Sequence, residues 1–266
     1  EIVARKGWRT YREMRNDDQV KAVLAFKKVL VGGRSWEIQP ADQSEQAQEI
    51  AKFVQKNLER INFKSVIKSA LSGFDFGYSL GEIIWEPADY EGEPAVMIKD
   101  IKHRDPESIE IAADNHGNIV SFRQQTISGP IEIEPDKVWH WAHQSEFGNP
   151  YGISDLRSAY RSWWAKKFLI NFWNVFLERM GSPMTLMKYP HGASDELKIT
   201  LKRILTSLSS KTEVLVPEGV TVDLVEATRG GTATYEAALK WHDNSIARAM
   251  LLIGIIGLSV DAGGGG

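Results

Sequence analysis

Residues Ser154–Met180 read SDLRSAYRSWWAKKFLINFWNVFLERM, a stretch without glycine or proline that ends at Gly181. Such a stretch predicts one helix about 40 Å long, because an α-helix rises about 1.5 Å per residue. Ser154 is suited to cap the helix, and Asp155 would place a negative charge in the first turn, where the helix dipole favours it. This long helix is the central element of the predicted fold.

The apolar residues of this helix cover more than half of its circumference. Helical spacing relates Leu156, Tyr160, Trp163, Trp164, Phe168, Phe172, Trp173, Phe176 and Met180, and Leu169, Ile170 and Val175 widen the stripe. A helix that is apolar over most of its girth is buried on several sides. In a chain of this size we expect other subunits to supply part of that burial. The expected subunit-packing residues are Trp163, Trp164, Phe168, Phe172, Trp173 and Phe176.

The composition is that of a folded protein with little net charge. The 266 residues include 35 acidic and 32 basic side chains, a formal net charge of -3. There is no cysteine, which excludes disulfides, thiolate metal sites and cysteine nucleophiles. The marked excess of Lys and Arg that is typical of nucleic-acid-binding domains is missing.

The two ends of the sequence indicate a piece of a longer chain. It opens at Glu1 without a methionine and closes with four glycines after the apolar run Ile246–Val260. That run is shorter than the ~20 residues that a membrane span needs, and it contains Arg248. We therefore expect a buried segment and no membrane association.

The residues before the long helix predict a mixed α+β body. Apolar residues recur at helical spacing after Asp17, again over Ser44–Arg60 and over Phe63–Phe74, whereas Ser35–Gln39 alternates like a short strand. Short β segments follow from residue 76 to Ala142, and the turn DNHGN at residues 114–118 predicts a hairpin. After the helix we expect a short helix over Ser194–Leu208, strands within Thr212–Val225 and a last helix over Thr232–Met250.

Motifs for catalysis are weak. His103-Arg104-Asp105 resembles a kinase catalytic loop, but the Asn expected five residues after the Asp is Glu110. Gly32-Gly33-Arg34-Ser35 lacks the lysine of a phosphate-binding loop. His140 and His143 would face opposite sides of a strand, which argues against a shared metal. We therefore expect no enzyme activity, no cofactor and no metal.

Basic residues stand out on the long helix. They are Arg157, Arg161, Lys166, Lys167 and Arg179, against only Asp155 and Glu178. They could form a solvated edge beside the aromatic residues, or a face towards DNA phosphates or towards acidic groups of a neighbouring subunit. The spacing does not separate these alternatives.

Four segments resemble the portal proteins of tailed bacteriophages, specifically those of Mu-like phages and prophages. They are MRNDDQVKAVLAFKKVLVGGRSWEIQPAD (14–42), FDFGYSLGEIIWE (74–86), GNPYGISDLRSAYRSWWAKKFLINFWNVFLERMGSPM (148–184) and NSIARAMLLIG (244–254). They occur in the same order along nearly the whole chain. The resemblance is specific at Gly152–Met184 and weaker through residues 90–140.

The resemblance implies a portal-type subunit of the α+β class. It divides the chain into a mixed wing at residues 1–153, a stem helix at 154–180, a small α/β clip at 181–231 and a returning stem helix at 232–254. Residues 255–266 would begin the tunnel loop, with Leu258, Ser259, Val260 and Asp261 towards the channel. The helical crown expected after this loop is absent from the sequence.

The resemblance also implies a function. Portal proteins form a ring, usually of twelve subunits, at one capsid vertex, and the ring serves genome packaging, head–tail joining and DNA ejection. The implied partners are further copies of the chain, the terminase large subunit, capsid or scaffold proteins, a head–tail adaptor and double-stranded DNA. The implied location is the virion, and the host cytoplasm during assembly. The alternative is another head–tail connector or capsid-associated structural protein.

The near-neutral charge is consistent with a conduit. Each Lys or Arg that neutralises a phosphate adds salt-dependent affinity and would slow the sliding of DNA. We therefore expect contact with DNA to be weak, transient and independent of sequence.

Overall fold

A computed structural model describes residues 7–180, 184–208, 216–225 and 230–251. Two compact units divide the chain, the first within residues 1–164 and 242–266 and the second within 165–241. The boundary between the units therefore falls inside the long helix, after Trp164. None of the described helices is long and apolar enough to span a membrane.

The described part of the first unit begins with five helices. They are α1 (Trp8–Met14), α2 (Asp18–Gly32), α3 (Glu45–Arg60), α4 (Phe63–Ala70) and the single turn α5 (Gly73–Phe76). The helices predicted to begin near Asp17 and Ser44 are present as α2 and α3, and these two residues cap them, because their side-chain oxygens accept backbone N–H groups of the first turn. Residues 35–39 form no strand. The prediction of a strand there is wrong, because no strand in the described part of the chain pairs with residues 35–39.

Two antiparallel three-stranded sheets follow in the first unit. The first sheet has the order β2 (Glu93–Arg104), β1 (Tyr78–Tyr90) and β6 (Val138–Ala142). The second consists of β3 (Ile109–Ala113), β4 (Ile119–Thr126) and β5 (Gly129–Ile133) in sequence order. The predicted turn joins β3 to β4, where the Asp114 side chain accepts the N–H groups of His116 and Asn118, each at 2.8 Å.

Two hydrophobic clusters hold the first unit together. The larger one joins α1, α2, α5 and the N-terminal part of the long helix α6 (Leu156–Met180) with the C-terminal part of α8 (Gly230–Met250). The smaller one joins the two sheets around Tyr78, Leu80, Phe122 and Ile133. The hydroxyl of Tyr78 is buried in that cluster and donates a hydrogen bond of 2.6 Å to the carbonyl oxygen of Pro106.

The second unit contains the rest of the two long helices and a small α/β segment. Strands β7 (Met184–Lys188) and β8 (Thr221–Val225) pair antiparallel, with helix α7 (Asp195–Leu208) between them in sequence. The helix and the second strand match the sequence prediction. A further strand predicted from Thr212 falls largely on residues 209–215, outside the described residues.

Candidate functional site

The base of α6 is built from two segments that lie far apart in sequence. Gly77 in the turn after α5 packs directly on Gly152, two residues before the helix cap Ser154. The Gly77 carbonyl accepts the N–H of His143 at 2.7 Å, and Asp155 N donates to the carbonyl of Phe74 at 3.0 Å. The hydroxyl of Ser154 accepts the N–H of Leu156 at 3.1 Å, as expected of a cap, and donates to the carbonyl of Asp75 at 2.6 Å.

Both glycines of this junction have positive φ, 94° at Gly77 and 56° at Gly152. A Cβ atom at either position would lie closer than 3.0 Å to backbone atoms of the opposing segment. Only glycine fits such a close approach in this backbone conformation. The junction therefore fixes the point at which α6 leaves the first unit.

Two buried carboxylates stabilise the junction. Asp155 binds Lys27 Nζ at 2.5 Å and His143 Nε2 at 3.0 Å. Asp75 is fully buried and binds Lys28 Nζ at 2.7 Å and Arg15 Nε at 2.9 Å. All these partners belong to the first unit, so the ion pairs tie α2 and the end of α1 to the base of α6.

Burial affects the ionisation of Asp75. Loss of hydration raises the pKa of its carboxyl group above the usual 3.8, and the charges of Lys28 and Arg15 oppose this rise. Sequence reasoning did not identify this residue. The sequence did contain a signal for it, since Asp75 is the single acid in the apolar run FDFGYSL. A charged residue in such a run is rarely buried without a partner, so its position predicts a buried ion pair.

The N-terminal part of α6 packs within its own chain. Trp163 is only 7% exposed and belongs to the larger hydrophobic cluster together with Leu156 and Ala159. Ser162 Oγ donates to Ser245 Oγ of α8 at 2.9 Å. Trp163, predicted to pack on another subunit, therefore serves the core of its own subunit, whereas the adjacent Trp164 is exposed.

The second unit leaves apolar side chains of α6 in solvent. Phe172 is 61% exposed, and Phe168 and Val175 are also exposed. Trp173 and Phe176 are half-buried, and the ring centroid of Phe176 lies 5.6 Å from that of Tyr235 on α8. Of the predicted packing residues, Trp164, Phe168 and Phe172 are thus the ones whose large apolar side chains are left exposed by their own chain.

The predicted basic residues separate into two groups. Arg157, Arg161 and Lys167 are exposed, whereas Lys166 is only 5% exposed and cannot meet DNA as a surface residue. The side chain of Arg179 and the predicted tunnel residues Leu258, Ser259, Val260 and Asp261 lie outside the described residues.

The described residues hold no group of three His, Asp or Glu side chains that could bind a metal ion. His140 Nε2 donates to the carbonyl oxygen of Pro150 at 2.9 Å, and burial lowers the pKa of the ring below its usual 6.5. His143 binds Asp155 instead. The two histidines therefore have separate structural partners, and the features that stand out are the rigid base of α6 and its exposed apolar face.

Comparison with known proteins gives a consistent result. A family model described as "Portal protein of Mu bacteriophage" matches residues 8–265. The Mu-like prophage FluMu protein gp29 of Haemophilus influenzae is 27% identical over 237 residues, which are 88% of this chain and 45% of that protein. The portal protein of Escherichia phage Mu is 26% identical over the same shares of the two chains. The chain thus spans less than half the length of these relatives.

Solved structures show the same fold at low sequence identity. A chain in the neck of an empty GTA particle, computed with C6 symmetry, has a TM-score of 0.69 and 13% identity over 99% of this chain and 73% of that one. A chain in the neck of a native GTA particle, computed with C12 symmetry, has a TM-score of 0.62 and 14% identity over 97% and 72% of the two chains.

Proposed function

The chain belongs to the family of Mu bacteriophage portal proteins, and on this premise we propose that it is one subunit of a ring that conducts DNA through a capsid vertex. The ring serves genome packaging, joining of head to tail and DNA ejection. Its place is the virion neck, and it assembles in the host cytoplasm. Its role is structural, and the ATPase that drives transport belongs to a partner protein.

The exposed apolar face of α6 is the observation that carries this proposal. Phe172 and Val175 are three residues apart and therefore neighbours on the helix surface, and both are exposed to solvent. Contiguous exposed apolar surface on a folded protein marks an interaction site. In a ring of parallel stem helices, each copy of this face would be covered by the next subunit.

The order of elements supports a division into functional parts. Residues 1–153 form the wing, 154–180 the first stem helix, 181–231 the clip, 232–254 the second stem helix and 255–266 the start of the tunnel loop. The small α/β segment with β7, α7 and β8 lies within the proposed clip. There the terminase large subunit would dock during packaging and a head–tail adaptor afterwards, while capsid or scaffold proteins contact the wing. A ring of twelve is compatible with both symmetries applied to the GTA necks, C6 and C12.

Contact with DNA is proposed to be weak and transient. The net charge of -3 gives little general attraction for phosphates, and of the predicted basic residues whose side chains the structure describes, Arg157, Arg161 and Lys167 are exposed. A few such contacts give low, strongly salt-dependent affinity. Tight binding of the ring to duplex DNA that persists as salt is raised would contradict this part of the proposal.

Assembly of the full-length protein tests the ring. Electron microscopy and sedimentation should show closed rings of about twelve copies around a channel wide enough for duplex DNA. The double substitution Phe172→Asp and Val175→Asp should convert rings into monomers or small oligomers without lowering Tm of the first unit. Ile127→Asp, in an exposed turn between β4 and β5, is the matched control and should leave the rings intact. A monomeric wild-type protein, or unaltered rings of the double variant, would refute the proposal.

A further inference from the structure

The hairpin of β1 and β2 extends far beyond the third strand of its sheet. Strand β6 pairs with β1 only over Tyr78–Glu82, whereas β1 and β2 remain paired as far as Tyr90 and Glu93. The unaccompanied part of the hairpin, which we call the arm (residues 83–101), is roughly 25 Å long at about 3.3 Å per residue. Two-stranded hairpins are marginally stable alone and need packing on their faces.

Helix α3 covers one face of the arm. The rings of Phe53 and Tyr90 lie 4.8 Å apart, and Asn57 Oδ1 accepts the N–H of Ile98 at 3.0 Å. Arg60 forms an ion pair with Glu86 on the same face. This face of the arm is therefore covered by α3 of the same chain.

The opposite face of the arm is apolar and exposed. Trp85 pairs across the strands with Ile98, and Pro87 with Val96. Trp85 is 46% exposed and Val96 61%. The tip beyond this patch carries three acids, Asp89, Glu91 and Glu93, whereas Lys56 of α3 lies 4.8 Å from the ring of Tyr90. The arm thus presents an apolar patch behind a negative tip.

A second apolar surface of the first unit carries the opposite charge. Phe26, Val29, Leu30 and Val31 of α2 are exposed, Val29 by 70%. Beside them lies a groove of about 720 Å³ between the end of α2, the start of α6 and the end of α8. The groove is lined by Arg157 and Arg248, and by Asp155, which binds Lys27 and His143. We call these α2 residues and the groove the basic surface.

We infer that the arm of one copy of the chain docks on the basic surface of the next copy. A ring is built from heterologous contacts, in which two different and complementary surfaces of each subunit meet. The arm and the basic surface are such a pair, since both are apolar at the centre and their rims carry opposite charges. This inference rests on the proposed ring and adds a wing contact to the packing of the stem helices. It also assigns Arg157 to a neighbouring subunit rather than to DNA.

Charge reversal and its rescue test the contact in the full-length protein. Arg157→Glu with Arg248→Glu should raise the concentration for half-maximal assembly at least about tenfold, as should Glu91→Lys with Glu93→Lys. Mixing the two variants should restore assembly in alternating rings, because each contact then joins a wild-type arm to a wild-type surface or a reversed arm to a reversed surface, and both pairs carry opposite charges. Combining all four substitutions in one chain restores opposite charges at every contact, and assembly should return to within about threefold of wild type.

The controls separate this inference from its alternatives. Lys64→Glu, an exposed reversal on α4, should leave assembly unchanged, and Arg248→Glu alone repeats the test without altering α6. Trp85→Ser should weaken assembly about tenfold or more with little change in Tm, because Trp residues dominate interface energetics. If wild-type rings form and the reversals change only DNA affinity, or the fourfold variant is not rescued, the inference is overturned and the ring stands. If wild-type rings do not form, both proposals fail.

Discussion

Substituting the glycine at the base of α6 tests whether the junction fixes the position of the helix. Gly152 has φ of 56°, and a Cβ there would meet backbone atoms of Gly77 and His143 closer than 3.0 Å. Gly148 in the preceding turn also has positive φ, 72°, but a Cβ there would have nothing within 4 Å. The pair Gly152→Ala and Gly148→Ala therefore separates steric conflict from backbone strain.

The expected costs follow from these environments. A left-handed backbone costs an alanine roughly 1–2 kcal/mol in either variant. Gly152→Ala adds a clash with backbone atoms that no side-chain rotation can relieve, and overpacking of this kind typically costs about 1–3 kcal/mol. The difference between the variants is therefore about 2 kcal/mol, or about 4–8 °C in Tm for a unit of this size.

Thermal and guanidinium unfolding monitored by circular dichroism measure this difference directly. We expect Gly152→Ala to unfold at the lower temperature, and its ring assembly to be weaker because the base of α6 is displaced. Equal Tm values for the two variants would show that the chain segments at Gly77 and Gly152 are not in close contact.

Three further predictions concern ionisable groups and DNA. Asp155→Ala should lower the free energy of unfolding by about 3 kcal/mol, because it leaves Lys27 and His143 without their buried acceptor. Denaturant titration should find a smaller loss for Asp155→Asn, which keeps an oxygen that accepts from His143. Equal losses in the two variants would contradict the role of the ion pairs. Burial lowers the pKa of His140 below 6.5, so the unfolded chain takes up a proton before the folded one as pH falls. The stability that neutral His140 contributes is therefore complete above pH 6.5 and is lost as pH falls through the lower pKa of the folded state. Tm should decline from pH 8 to pH 5, and it should decline less steeply in His140→Gln. The same slope of Tm against pH in both proteins would contradict burial of the ring. Finally, affinity of the ring for duplex DNA should fall steeply between about 50 and 200 mM salt in filter-binding assays, as expected for phosphate contacts. Arg161→Gln should reduce the salt slope, and an unchanged slope would contradict contact between Arg161 and DNA.

Local features of the fold could be predicted from sequence because near neighbours determine them. The helix starts near Asp17 and Ser44, the turn at residues 114–118 and the uninterrupted helix before Gly181 all depend on residues within a few positions of each other. The predicted strand at residues 35–39 is wrong for the complementary reason. Alternation favours a strand, but a strand exists only where a distant segment pairs with it.

The candidate site shows the same division. The sequence of the chain was sufficient to indicate the portal family, the absence of cysteine and the aromatic helix, because these depend on residue types and their order along the chain. Periodicity could not tell which of two adjacent tryptophans is buried, since the apolar stripe is wider than the surface that the chain itself covers. Only tertiary contacts place Trp163 in the core and Trp164 in solvent, bury Lys166, and bring Asp75, Asp155 and Gly77 to the base of one helix. Burial is a property of surfaces supplied by distant parts of the chain, and no local pattern contains it.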